Sequence, residues 1–379
     1  MPWQECSVES ERMAFVIAAQ QQDVPLAALC RQFGISRKTG YKWLGRVAAG
    51  EGVASRSRRP HASPAQTPAV IEQQVVDLRT QHPAWGGRKL HHRLRAEGLE
   101  AVPAPSTITA ILRRHGQLEA VPPRRDFLRF EHPEPNLVWQ MDFMGHRPLE
   151  GGAGRVHPWS LLDDHSRFAL ALAACQHQQR EVVQDLLTAA FRQYGLPAAI
   201  LCDNGAPWGI AGMTGGPGLS RLAAWLLRLG VEPWHGRPYH PQTQGKVERF
   251  HGTIAREVFA HQRPSTLAEA QAHFDAFRHD YNDERPHEAL AYATPASRYQ
   301  PSPRPFPETL PPVVYDAGTV VRTVKAHGSI SFQGRRHFVS RGLIGEPVAL
   351  QPTEDPAIWS VVYGTFPVVV IDLRRPEEV

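Results

Sequence analysis

A single carboxylate, Asp142, lies inside the apolar run from Leu137 to Met144, LVWQMDFM. Strand side chains alternate between faces, so Asp142 shares a face with Gln140, while Trp139, Met141 and Phe143 take the other. An acid in a core strand needs a partner or a cation to offset its lost hydration. The segment therefore reads as a sheet strand that presents an acid for a reason. Strands around Trp159 to Leu162 and Phe168 to Leu172 meet at Asp163-Asp164-His165-Ser166-Arg167, which reads as a polar hairpin turn. A helix follows near Val182 to Tyr194, and the apolar strand Ala198 to Cys202 ends at Asp203-Asn204-Gly205. Taken alone, that ending is a common turn.

A third acid stands further on. Pro238 to Phe250 reads PYHPQTQGKVERF, a loop that passes into an apolar stripe of Val247, Phe250, Ile254 and Val258 at helical spacing. Glu248 lies beside the stripe, and Gln244, His251 and Ala255 share its face, because steps of three and four bring helix side chains together.

The flanks differ in kind. Residues 25–47, PLAALCRQFGISRKTGYKWLGRV, place Leu26, Leu29, Phe33, Tyr41 and Leu44 at helical spacing around a break at Gly34, with Ser36 able to cap the second helix. This reads as a helix-turn-helix over residues 1–50, which would turn Arg37, Lys38, Thr39 and Lys42 toward DNA; a plain helical hairpin with a basic face is the alternative. Residues 51–66 are small, polar and basic and read as a linker. In 67–120, Trp85, Leu90 and Leu94 precede Ser106 as a cap, and Ile108, Ile111 and Leu112 form a stripe ending at Gly116. A second helical DNA-binding unit is expected there, with Arg88 and Lys89 as contacts; a packing domain is the alternative. After the prolines of 302–312, the segments Thr319 to Val324, Gly328 to Phe332, Arg336 to Val339, Pro347 to Leu350, Trp359 to Tyr363 and Val368 to Leu373 read as strands, so 313–379 is expected to form a small all-β barrel.

Charge follows this division. Residues 1–130 hold 19 Lys/Arg against 11 Asp/Glu, and the remainder holds 23 against 26. A basic first third is what a nucleic-acid-binding end would show; by charge alone a solvated basic surface is an equal alternative. No apolar stretch approaches the ~20 residues of a membrane span, and Glu5, Glu9 and Glu11 sit where a secretory signal would be basic and then apolar. A cytoplasmic protein without a membrane partner is expected. The four cysteines form no C-x-x-C pair, so neither a disulfide framework nor a cysteine zinc site is indicated.

WQMDF, CDNG and HPQTQGKVERFHGT, in that order, resemble the catalytic core of DDE-type transposases and retroviral-type integrases. The helix-turn-helix, DDHSRFAL and NDERPHEALAYATP are similar to bacterial insertion-sequence transposases. The resemblance implies an RNase H-like α/β core over about 130–295, with Asp142, Asp203 and Glu248 as catalytic and metal-binding residues and DDHSR as framework. Carboxylates are hard oxygen ligands, and three together repel one another unless cations are present, so two Mg²⁺ or Mn²⁺ ions are expected. The implied activity is cleavage of mobile-element ends and their joining to double-stranded target DNA by a dimer or larger assembly. A non-catalytic DNA-binding regulator and an RNase H-like nuclease without joining activity are the alternatives. Lys246, Arg249 and Arg256 flank Glu248 as candidate DNA contacts. Two features depart from the resemblance: the glycine-rich insert Gly209 to Gly218 lengthens the stretch between Asp203 and Glu248, and Ala255 stands where relatives place a long cation. Arg256 is expected to compensate; phosphate contact by Lys246 and His251, or a copy of lowered efficiency, are the alternatives.

Overall fold

Ser36 sets the local geometry of the first helical block. Its hydroxyl accepts the Thr39 N–H at 3.2 Å, starting one helix, while Gly34, at φ 64°, ends the helix before it. The computed structural model describes residues 7–21, 24–56, 66–118, 131–203, 219–235 and 245–374, and the chain divides into two compact units, Met1–Gln66 and Thr67–Val379. In the first unit, α1 (Val8–Gln20), α2 (Leu26–Gln32) and α3 (Arg37–Ala48) bury Phe15, Val16, Leu29, Cys30 and Trp43. A Cβ on Gly40 would stand 2.7 Å from Cys30 Sγ and 3.0 Å from the Phe15 ring, so glycine lets α3 approach its neighbours. Gly40→Val should therefore cost this unit about 1–3 kcal/mol by overpacking. Hydrogen exchange of the full chain tests it: faster exchange in α1–α3 is expected, and parental protection would contradict it.

The second unit begins with α4 (Ala69–Gln81), α5 (Gly87–Ala96) and α6 (Pro105–Arg114), closed around Val75, Leu78, Trp85, Leu90, Leu94, Ile108, Ile111 and Leu112. The expected apolar stripe is buried, but Ser106 is not the cap. Pro105 opens α6 after Ala104, which makes no side-chain cap bond; proline's fixed φ and missing N–H suit a first helical position.

The central sheet has the order β4-β3-β1-β5-β6, formed by β1 (Val138–Phe143), β3 (Arg155–Asp163), β4 (Ala169–Cys175), β5 (Ala199–Cys202) and β6 (Glu232–His235), with the two-residue β2 (Arg147–Pro148) pairing the start of β3. The first three are antiparallel neighbours, whereas β1–β5 and β5–β6 are parallel. This is the strand arrangement expected of an RNase H-like core. Trp139 and Met141 face α7 (Arg180–Tyr194) and α8 (Arg221–Arg228) with Val183, Leu187, Phe191 and Leu222. The opposite face packs Leu162, Ala169 and Leu172 on Phe250, Ile254, Phe274 and Phe277 of α9 (Gly245–Ile254) and α10 (Leu267–His279). Each of those helices runs on into a π-helical turn, Ala255–Phe259 and Asp280–Glu284.

All six strands expected after Pro312 form: β7 (Val320–Thr323), β8 (Ser329–Phe332), β9 (Arg335–Phe338), β10 (Pro347–Pro352), β11 (Ile358–Tyr363) and β12 (Phe366–Asp372). They do not close into a barrel. The strands β12-β11-β10-β7 make one sheet, while β8 and β9 pair only with each other. After β7, Val324 exchanges backbone hydrogen bonds with Gly345 and Glu346, and His327, at φ 68°, turns the chain out of the ladder. Ile330 and Phe332 then pack on the sheet beside Leu350, Val361 and Ile371. Among the described residues no helix is long and apolar enough to cross a membrane.

Candidate active site

The parallel pairing of β1 with β5 aligns Gln140 with Leu201. Continuing that register two residues brings Asp142 level with Asp203, which follows the last residue of β5. Asp142 and Gln140 share the face opposite Trp139 and Met141, and α9 lies over that face. Asp142, Glu248, His251, Gly252 and Ala255 line one pocket of about 440 Å³, together with Phe143, Met144, Gly145 and Arg147. The helical spacing of Glu248, His251 and Ala255 thus produces a shared face; Gln244 lies outside the described residues, as do Asn204, Gly205 and the insert Gly209 to Gly218.

The electrostatics tie the three acids together. Burial, then the charge of Asp203 and more weakly that of Glu248, push the Asp142 carboxyl up to about 7, while a hydrogen bond from the Phe143 N–H offsets part of the rise. Asp203 and Glu248 are exposed. Among the described residues, the group of three metal-ligand side chains whose donor atoms all come within 4.8 Å is not this one but His82, Asp280 and Glu284. The wider spacing of Asp142, Asp203 and Glu248 is in line with repulsion among like charges. The His82 group comes from packing that no sequence spacing reveals: its ring stacks on Trp85 at 3.8 Å, and Arg93 binds Glu284 at 3.1 Å.

His251 sits between two partners. One ring nitrogen, Nε2, is 2.9 Å from Ser160 Oγ, and Nδ1 is 3.8 Å from an Asp142 oxygen. Burial lowers its pKa to about 4, so the imidazole is neutral at physiological pH. On β5, burial and the charges of Asp203 and Asp142 hold the Cys202 thiol well above its ordinary pKa, and His235 Nδ1 is 3.1 Å from the Asp203 carbonyl oxygen.

The expected DNA contacts have mixed surroundings. Arg37, Lys38 and Lys42 are exposed on α3, but Thr39 is half-buried with its hydroxyl 2.9 Å from Ser36 Oγ, as part of the cap. Arg88 is engaged in an ion pair with Glu288 at 2.8 Å, and Lys89 is half-buried with its charge felt at His287. Beside them His92 stacks on Tyr292 at 4.0 Å, so α5 meets the 288–292 segment through this side while Arg88 stays exposed. Lys246 is ion-paired with the carboxylate of Asp164 and donates to its carbonyl at 3.3 Å. Burial favours pairing that ammonium inside the protein over extending it to phosphate. Arg249 and Arg256 are exposed. The Arg256 guanidinium leans back over Gly252, where Nη1 would lie 3.5 Å from a Cβ, and reaches Thr253 Oγ1 at 3.4 Å.

Asp163 and Asp164 do more than form a turn. Both are buried: Asp163 accepts the Ser166 N–H at 2.7 Å, the Ser166 hydroxyl at 2.6 Å and the Asn136 N–H at 2.8 Å. The available signal was two adjacent acids directly after an apolar run, more charge than a solvated turn requires.

Integrase core domain models match residues 132–241 and 229–295. The C-terminal domain of IS481 family transposases matches 319–378; a helix-turn-helix domain matches 11–61 and a homeodomain-like domain 39–112. The chain is 27% identical over 242 residues to an uncharacterized 31.7 kDa protein of insertion element IS407 from Burkholderia multivorans, covering 62% of this chain and 82% of that protein. It is 29% identical over 242 residues to the transposase InsD for insertion element IS2A/D/F/H/I/K from Escherichia coli, covering 58% and 76%. A solved HTLV-2 integrase catalytic core domain in complex with magnesium superposes on 44% of this chain and 97% of its own at 14% identity, with a TM-score of 0.32, too low to bear on function. Motif order, domain matches and sequence relatives agree: the chain carries an integrase core domain and is similar to insertion-sequence transposases.

Proposed function

We propose that the protein is a polynucleotidyl transferase that cuts the ends of a mobile element and joins the freed 3′-hydroxyls to target DNA, with Asp142, Asp203 and Glu248 as its metal-binding catalytic residues. The observation that carries this reading is the convergence of those three acids beside an open pocket, where burial first, and then the charges of Asp203 and Glu248, lift the Asp142 carboxyl to about 7. The donor set fits a hard divalent cation, since all three side chains offer carboxylate oxygens. Two Mg²⁺ or Mn²⁺ ions held there would supply the positive charge that favours both the attacking and the leaving oxygen at phosphorus.

The chain's own residues set the conditions for that chemistry. Asp142 must lose its proton to serve as a ligand, so the metal-free protein should take up Mg²⁺ more readily as pH rises toward and through about 7. His251, neutral and hydrogen-bonded to Ser160, borders the Asp142 carboxylate without adding a competing positive charge. Arg37, Lys38 and Lys42 would approach the DNA of the element ends, with 1–50 and 67–120 binding, 130–295 reacting, and 313–379 in an accessory role. Bringing two ends together requires at least a dimer on DNA.

Arg256 is the proposed replacement for the cation missing at Ala255. Its guanidinium can bind phosphate in two-pronged fashion and already leans toward pocket-lining Gly252. Arg256→Ala should weaken end binding and lower strand transfer, while Ala255→Lys improves binding or is neutral. Parental behaviour of Arg256→Ala with a steep gain from Ala255→Lys would contradict compensation.

The purified full chain, given Mg²⁺ and the DNA that flanks its reading frame, should yield nicked ends and joined products on a sequencing gel. Binding without cleavage across ends, metals and salt would favour a regulator instead. Cleavage without joined products would favour a nuclease.

A further inference from the structure

We infer that Asp164 is a positioning residue that fixes the helix bearing Glu248 against the strand bearing Asp142; the inference rests on reading those two acids as metal ligands. Asp164 is 1% exposed and its two carboxylate oxygens face different elements. One accepts the Gln140 side-chain N–H at 2.7 Å. The other accepts the backbone N–H of His132 at 3.0 Å, lies 2.8 Å from His132 Nδ1, and forms the ion pair with Lys246.

Gln140 completes the connection. Its side-chain oxygen accepts the Val247 backbone N–H at 3.3 Å, one of the groups that the first turn of α9 leaves without an intrahelical partner. A strand residue thus caps the glutamate helix, and the same side chain is held in orientation by Asp164. Gln140 and Asp142 are two residues apart on one face of β1, while Val247 and Lys246 are one and two residues before Glu248. Every bond in this chain of contacts therefore bears on how far Glu248 stands from Asp142. The backbone of Asp164 is itself fixed to β1, its N–H donating to the Val138 carbonyl at 3.0 Å.

Two like-charged ligands on separate elements would drift apart without such a tie. Loss of the supporting hydrogen bonds around a metal site typically lowers metal affinity or activity by about 10–100-fold. Removing Asp164 alone would strand the Lys246 charge in a half-buried place. The informative variant is therefore Asp164→Asn with Lys246→Met, which leaves the net charge near the site unchanged.

The experiment titrates Mn²⁺ into the full chain and follows both thermal stabilisation and cleavage of end DNA. The double variant should melt, before metal is added, within a few degrees of the parent, yet need at least about tenfold more Mn²⁺ for half-maximal stabilisation. Cleavage should partly return at high Mn²⁺. Lys246→Arg, which keeps the ion pair, should retain most of the parental affinity. A folded double variant with the parental Mn²⁺ midpoint overturns the inference. Should the double variant fail to fold, Gln140→Met, which spares the ion pair but removes the helix cap, decides by the same midpoint. If the parent itself shows no Mn²⁺ stabilisation, the metal-site reading fails instead.

Discussion

Asp142→Asn is expected to end metal-dependent cleavage and, in the same protein, to raise the melting temperature of the metal-free form at pH 8. The two effects share one cause. Burial and the neighbouring charges of Asp203 and Glu248 raise the Asp142 carboxyl to about 7, from the value near 4 it would have in an unfolded chain. A raised acid favours the protonated form in the folded state, so its ionisation weakens the fold as pH climbs from about 4, and the cost is complete above about 7. About three pKa units correspond to an upper figure of about 4 kcal/mol. Asparagine has the same shape and cannot ionise, so the variant should be the more stable of the two at pH 8 and nearly equal to the parent at pH 4. Mg²⁺ should stabilise the parent and much less the variant. Loss of a single preorganised electrostatic group typically lowers a rate by about 10²–10³-fold, and loss of a metal ligand should exceed that. A variant that is less stable than the parent at pH 8, or that cleaves at the parental rate, would contradict this reading.

The largest effect on folding should come from Arg285→Ala. The guanidinium forms a forked contact with Glu257, Nε at 3.1 Å and Nη2 at 2.9 Å to one oxygen, and both side chains are about nine-tenths buried. Close by, Asp280 is pushed up to about 6 by burial and by the charges of Glu257 and Glu284. Truncating the arginine leaves the Glu257 charge buried without its cation, a change that typically costs about 3–5 kcal/mol. Thermal melting at pH 7 should fall by many degrees, and adding Glu257→Gln should recover part of the loss. A single variant that melts with the parent would show that the pair contributes nothing to stability.

Much of the site was legible in the sequence because its signals are local, and other parts were not because they depend on distant partners. Asp142 stood out because an acid within an apolar strand contradicts the burial pattern around it, and the alternation that set it on the face of Gln140 is a local property. Glu248, His251 and Ala255 followed from helical period, also local. The six C-terminal strands were visible for the same reason, but their failure to close depends on the turn after Val324, which period does not encode. Roles that depend on distant partners stayed hidden. Lys246 and Arg88 read as exposed cations because nothing nearby in the chain announces Asp164 or Glu288, which are 82 and 200 residues away. Asp164 read as a turn residue, although its hydrogen bonds reach β1 and the start of α9. The NDERP segment carried no chemistry by itself; in the fold, Asn282 accepts the Ala169 N–H at 2.8 Å and donates to its carbonyl at 3.1 Å, so it extends β4 by side chain.

The most direct measurement compares the full chain with Asp203→Ala on DNA carrying the element ends, in Mg²⁺ at pH 8, with joined product as the readout. Asp203 lies at the end of a strand and is exposed, so the substitution should leave the fold intact. Joined product from the parent and none from Asp203→Ala is the predicted result; equal joining by both would contradict the assignment of these acids to catalysis.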